Sequence, residues 1–462
     1  MNRINIGKLG FVFFGLLLSM ELGSCKKYLA ASTSKSLVAI TNVGDLQALL
    51  DAYYNMNTIC AEASDEAADD YFLTDSTLQA LGSPSGQQVY LWQPGMFDDE
   101  SPTDADWQNE YSVVYNANLV LDNIGSLART SENASNLDYC HGEALVFRAK
   151  SFLEIAAIWA KAYDSATAAS TAGIPLRLTS DFNAPTTRAT VAQTFQQILS
   201  DLQASIPLLP NAPVFIFRPS KGAAYGLLAR TYLAMRNYPK AAVYADSALQ
   251  LDSALVDFNT LSSSPGSYAF AAIPYTNPEE IMYSSVTLDN ENLYLGYMFV
   301  DTTLYASYDN NDLRKIIYFA PSVDGYYYYQ GGYTGNYVDY NGLATDEMYL
   351  IRAEGAARAG NVAGAMASLN SLLSRRWVTG TFTPFGAPAA DSALSLVLKE
   401  RRKELVFRST RWTDIKRLNL DGANISLTRI IGGQTYTLPA NDARFAMPIP
   451  TKVIQLSGIS QN

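Results

Sequence analysis

Histidine is all but missing. The 462 residues contain one, His141, which excludes metal sites built on several imidazoles and leaves any serine- or cysteine-based triad dependent on that residue. Cys140 precedes it on a helical pattern, where consecutive side chains point about 100° apart, so the two form no dyad. Cysteine is scarce as well, at three. Cys60 and Cys140 either close one disulfide or stay as free buried thiols, and no spacing pattern chooses between these. Basic charge is short, with 33 Lys and Arg against 44 Asp and Glu. Without a basic stripe, neither nucleic acid nor an anionic lipid surface is an expected partner. Past the first 25 residues no stretch reaches 18 continuous apolar positions, so no later segment is expected to cross a bilayer as a helix.

What is present begins at the N-terminus. Arg3 and Lys8 precede an uncharged core from Leu9 to Met20, shorter than the roughly 20 residues of a spanning helix, and Leu22-Gly23-Ser24-Cys25 follows. This order reads as an export signal ending in a bacterial lipobox: cleavage before Cys25 and lipidation of its thiol, with residues 1–24 removed. Several acyl chains, each contributing about 0.8 kcal/mol per buried CH₂, would make attachment stable. Loss of Arg3, Lys8 and Glu21 leaves 31 basic against 43 acidic residues, a net charge of −12.

Helical periodicity dominates the remainder. Apolar spacing of three and four predicts helices over Val43 to Asn57, from Asp104 or Asp106 (as cap) to about Ala128, from about Leu137 to Tyr163, and from Thr190 to Ser205. Between the first two lies Ala61 to Thr103, read as a long irregular region with an acidic group (Glu62, Asp65, Glu66, Asp69, Asp70) and the aromatics Tyr71, Phe72, Tyr90, Trp92 and Phe97. Two alanine-rich hairpins follow, at Ser220 to Leu251 and Asp346 to Arg375, each resembling a tetratricopeptide unit. Their 34-residue period is broken by an insertion. Residues 268–340 hold 15 of the chain's 30 tyrosines, including Tyr326, Tyr327, Tyr328 and Tyr329 before Gly331-Gly332. On a strand, alternation would send two of those four to each face, so some should meet solvent or a ligand.

Several short motifs occur in a recognisable order: the lipobox, Gly142-Glu143-Ala144 through Arg148-Ala149, Ser220-Lys221-Gly222-Ala223-Ala224, the hairpin at 238–249, Glu400-Arg401-Arg402-Lys403-Glu404-Leu405, Arg411-Trp412-Thr413-Asp414-Ile415-Lys416-Arg417, and Met447-Pro448-Ile449-Pro450. Together they resemble the SusD/RagB family over nearly the whole mature chain. The sequence departs from that pattern at Arg408-Ser409, where the family often carries Glu-Gly, which places one turn and one charge contact in question. The resemblance implies a mainly α, tetratricopeptide-like fold with loop and short-strand insertions, as one domain from 25 to 462 (an N-terminal part 25–250 and a C-terminal part 251–462). It also implies an outer-membrane lipoprotein that captures oligosaccharides, or in some members peptides, as a lid on a SusC-like TonB-dependent transporter, without catalysis, cofactor or metal.

Sugar rings offer apolar C–H faces to aromatics and hydroxyls to polar side chains, so a site should mix the two. Tyr71 and Trp92 in the first loop, and Tyr326 to Tyr329 with Asn310, Asp312, Arg314 and Gln330 in the insertion, supply that mixture. Glu400, Arg401, Glu404, Arg411, Asp414 and Arg417 read as a structural ion network, since Glu400 and Glu404 stand one helical turn apart among basic residues. Two alternatives compete: a protein-binding scaffold without its own ligand site, and a two-carboxylate glycosidase using Asp65, Glu66, Asp98 or Asp99.

Overall fold

Small residues on facing helices set the framework, because they let each long helix lie close on the one before it. A computed structural model describes residues 40–82, 84–97, 103–262, 264–271, 277–286, 293 and 297–462. Cys25 and the export signal, like Asp98 and Asp99, lie outside the described residues. Residues 43–462 form one compact unit. Its long helices are α1 (Val43–Leu50), α2 (Thr103–Ile124), α3 (Ala134–Trp159), α4 (Val191–Ser205), α5 (Lys221–Ala234), α6 (Tyr238–Leu251), α7 (Thr345–Arg358), α8 (Val362–Leu373), α9 (Ala390–Glu404) and α10 (Arg411–Leu420).

From α2 to α8 each helix packs on its successor, and α9 closes against α7 and α8. The insertion does not interrupt this stack, since α6 and α7 are neighbours in space although 93 residues separate their ends. Gly355 on α7 makes the approach possible: a Cβ there would come within 2.5 Å of the Ala242 side chain and 2.9 Å of the Tyr238 carbonyl. Side-chain caps start α4, α5, α6 and α8. Thr190 forms a capping box with Gln193, Ser220 accepts from the Ala223 amide, and Asn237 and Asn361 open α6 and α8.

Two expectations need correction. The segment from Ala61 to Thr103 is not irregular throughout: it carries short helices at Ala63–Glu66, Asp75–Ala80 and Pro84–Tyr90 and a strand at Tyr71–Phe72. Asp106 lies inside α2 and does not cap it. Its carboxylate accepts from the Glu62 and Ala63 amides (3.1 and 2.9 Å) and so anchors the start of Ala63–Glu66. Cys60 and Cys140 are both free and buried, Cys60 beside Lys150 and Cys140 beside Gln47. Among the described residues no helix is long and apolar enough to cross a membrane.

The paired strands among the described residues are antiparallel, and two of the pairs fasten the insertion to the rest of the chain. Glu280–Met282 pairs with Leu343–Ala344, closing the base of the insertion just ahead of α7. Tyr71–Phe72 pairs with Phe299–Val300, joining the first loop to the insertion, and Phe319–Pro321 pairs with Tyr327–Tyr329. Beneath them lies an aromatic core that takes in Tyr283, Tyr308, Tyr318, Tyr329, Tyr333 and Tyr340. Much of the tyrosine enrichment is therefore packing.

Candidate functional site

The four consecutive tyrosines divide as strand alternation requires. Tyr329 is buried and packs on Phe407, with ring centres 4.7 Å apart. Tyr327 stacks on Tyr305 at 3.6 Å and 17°. Tyr328 instead lines a surface groove of about 500 Å³ with Tyr268, Phe299, Pro321, Ser322, Asp324 and Gln330. Gly331, at φ +110°, seats the Tyr268 ring, because a Cβ at that position would lie 2.7 Å from it. Only glycine combines that backbone with that approach.

Tyr326, 38% exposed, meets Phe72 edge-on and Phe299 at a tilt, both at 5.1 Å. Phe72 and Phe299 are cross-strand partners with rings 5.6 Å apart. On the far side of Phe72 is a second depression of about 280 Å³, lined by Asp69, Tyr71, Asp301, Thr428 and Ile430 among others. Tyr326 and the half-buried Phe72 are thus the open part of a three-ring ridge backed by Phe299, itself 5% exposed; Phe299 borders the groove and Phe72 the second depression.

Other anticipated ligand residues lie elsewhere. Trp92 is 2% exposed, at φ +54°, with its indole N–H donating to the Ala67 carbonyl at 3.0 Å. The Arg429 guanidinium occupies its face (4.5 Å) together with those of Tyr90 (3.6 Å) and Tyr71 (5.4 Å). Trp92 and Tyr71 therefore back the second depression from inside, with stacking faces already used. Asn310 is exposed and accepts from Lys315. Asp312 and Arg314, expected at the ligand, are instead buried in ion pairs and present no polar edge to solvent. Phe299 and Tyr268 complete the groove, and Phe72 lines the second depression. Their only signal in the sequence is membership of aromatic, β-like runs.

The buried charges expected as one network divide into groups, of which the largest takes in Glu400 and Glu404 while Arg401, Asp414 and Arg417 form a second and Arg411 a third. Arg314 joins Asp312, Glu400 and Glu404; Lys403 joins Asp312 and Glu400; Arg376 joins Glu404 and Glu279. Tyr333 hydrogen-bonds both Glu279 and Asp346, and Asp346 pairs with Arg408. Four cations face five carboxylates, and burial pushes Glu279 up to about 7 against the pull of Arg376, so one carboxyl can hold a proton. Arg401 and Arg417 share Asp414, Arg417 also reaches Glu354, and Arg411 holds Asp69 at 2.6 Å.

Arg408-Ser409 finds its partners here too. Ser409 sits at φ +54°, a backbone that suits glycine. Its amide and hydroxyl both donate to Asp65 (2.9 and 2.6 Å), which offsets the strain. Asp65 and Glu66 are buried and offer no open pair of carboxylates to a glycoside. Burial pushes Asp65 up to about 7, against the bonds from Ser409 and with Asp70 adding to the rise. The folded state then binds this proton more tightly than the unfolded chain, so stability is lost as pH rises from about 4 through 7. Asp65→Asn should flatten that loss, by on the order of 2–4 kcal/mol across the window, read as denaturant midpoint against pH. An unchanged slope would remove Asp65 as its source.

Two family models match the chain. One, described as starch-binding associating with outer membrane, covers residues 27–233, and one described as the SusD family covers 277–462. Among solved structures, a putative sugar binding protein from Bacteroides vulgatus is similar over 92% of this chain and 98% of its own, at 23% identity and a TM-score of 0.71. A SusD superfamily protein from Bacteroides thetaiotaomicron is similar over 91% and 100%, at 20% identity and TM-score 0.71. A SusD-like carbohydrate binding protein from Bacteroides vulgatus is similar over 87% and 89%, at 20% and 0.63. No curated protein sequence matches.

Proposed function

This chain belongs to the SusD family, and on that premise we propose that it captures oligosaccharides on the Phe72, Phe299 and Tyr326 ridge and in the groove beside it, for delivery to a SusC-like TonB-dependent outer-membrane transporter. The observation that carries this reading is the ridge itself. The exposed Tyr326 ring and the half-buried Phe72, backed by Phe299 and bordered by two depressions with hydroxyl and carboxylate groups, match the alternating apolar and polar surface of a sugar chain. Peptides are the second ligand class the family admits.

The lipobox supports an anchor at Cys25 on the outer membrane, with residues 1–24 cleaved and a single domain beyond, facing the extracellular side where polysaccharide is met. The domain acts by binding and leaves its ligand intact. A glycan array probed with the purified protein should return a discrete set of oligosaccharides that are recovered unchanged. Retention of no glycan and no peptide would favour the scaffold alternative.

A further inference from the structure

We propose that the captured glycan is neutral or amine-bearing, and that chains carrying carboxylate or sulfate groups are excluded. This rests on the capture reading above and concerns the charges that face the ridge. In the groove the charged lining residue is Asp324, exposed at the rim. In the second depression they are Asp69, Asp301 and Arg429. Arg429 is buried and turned away, donating to the carbonyls of Tyr90, Glu66 and Ala68 while its plane covers Tyr90 and Trp92.

Each nearby cation already has partners. Arg411 and Arg402 close on Asp69 at 2.6 and 3.1 Å, and Arg402 also approaches Asp70. Lys315, beside Tyr305, donates to the Tyr308 carbonyl and to Asn310. A sugar carboxylate or sulfate needs charge-assisted N–H donors to replace its water. With Asp69 held by Arg411 and Arg402, the described residues facing the ridge offer it acceptors and the negative charges of Asp324 and Asp301 instead. Asp324 with the hydroxyls of Tyr268, Tyr328 and Ser322 suits sugar O–H groups or an ammonium, and like charges placed together select against the wrong partner.

The test takes a neutral oligosaccharide that binds and the same oligosaccharide with its primary alcohols oxidised to carboxylates, each titrated against the protein at low and high salt. The oxidised form should bind at least about tenfold more weakly at low salt, with part of the gap closed by added salt. Asp324→Lys should narrow the ratio between the two forms several-fold. Equal or tighter binding of the oxidised form, or a protein that binds only anionic glycans, would overturn the charge assignment and leave oligosaccharide capture standing. Absence of any glycan binding would overturn both.

Discussion

Arg314→Ala should lower the stability of the protein by about 3–5 kcal/mol, the range for removing one partner from a buried ion pair. The side chain is fully buried, and three of its nitrogens donate: Nε to Asp312 at 2.9 Å, Nη1 to Glu404 at 2.9 Å, and Nη2 to Asp312 at 2.7 Å and Glu400 at 2.5 Å. Its removal leaves Lys403 and Arg376 to balance three carboxylates that already share them. For a unit of about 420 residues, with unfolding entropy near 2 cal/mol/K per residue, a loss of ~4 kcal/mol corresponds to a fall in Tm of roughly 4–5 °C. Arg129→Ala makes the contrast. Its pair with Asp138 is also bidentate, at 2.7 Å, but lies on the surface, and no measurable fall is expected. Equal Tm values for the two variants would contradict the role given to the network. The consequence reaches the groove as well, since Asp312 and Arg314 tie the insertion to α9 immediately before the strands that carry Tyr328.

Tyr328→Ala should weaken binding of the captured oligosaccharide about 10- to 30-fold, corresponding to roughly 1.4–2 kcal/mol for loss of an aromatic anchor. The ring is half-buried, on a two-stranded hairpin and against open space, so its truncation opens no cavity in the core, and Tm should stay within about a degree. Titration calorimetry of the variant beside the parent checks both halves of the expectation. Wild-type affinity in Tyr328→Ala would move the ligand away from the groove. Trp92→Ala serves as the opposite control. Its side chain is buried between Ala67 and Arg429, and truncation there should cost about 3–5 kcal/mol of stability. Lost binding in that variant would report unfolding and say little about ligand contact.

The helical framework was legible because periodicity and caps are local. The hairpins at 220–251 and 346–375 announce themselves through alanine spacing and the turn residues Asn237 and Asn361. The spacing of Glu400 and Glu404 places both carboxylates on one side of α9. That Arg314 and Arg376 answer them was not legible, because those partners come from a four-residue helix in the insertion and from just past the end of α8. The same holds for Asp312, which reads in sequence as a ligand-binding residue beside Asn310 and Arg314.

By itself, then, the sequence determined the helix stack, the family resemblance and the concentration of aromatics in two segments, all properties of residues near one another in the chain. Tertiary structure alone decided which aromatics face outward. Trp92 turned inward because Arg429, more than 300 residues later, covers its ring, and the ridge arose because Phe72 pairs across strands with Phe299. A stacking surface is made by what is left uncovered after packing. Burial of any one tyrosine depends on distant neighbours, so composition could name the material of the site and only the folded chain its place.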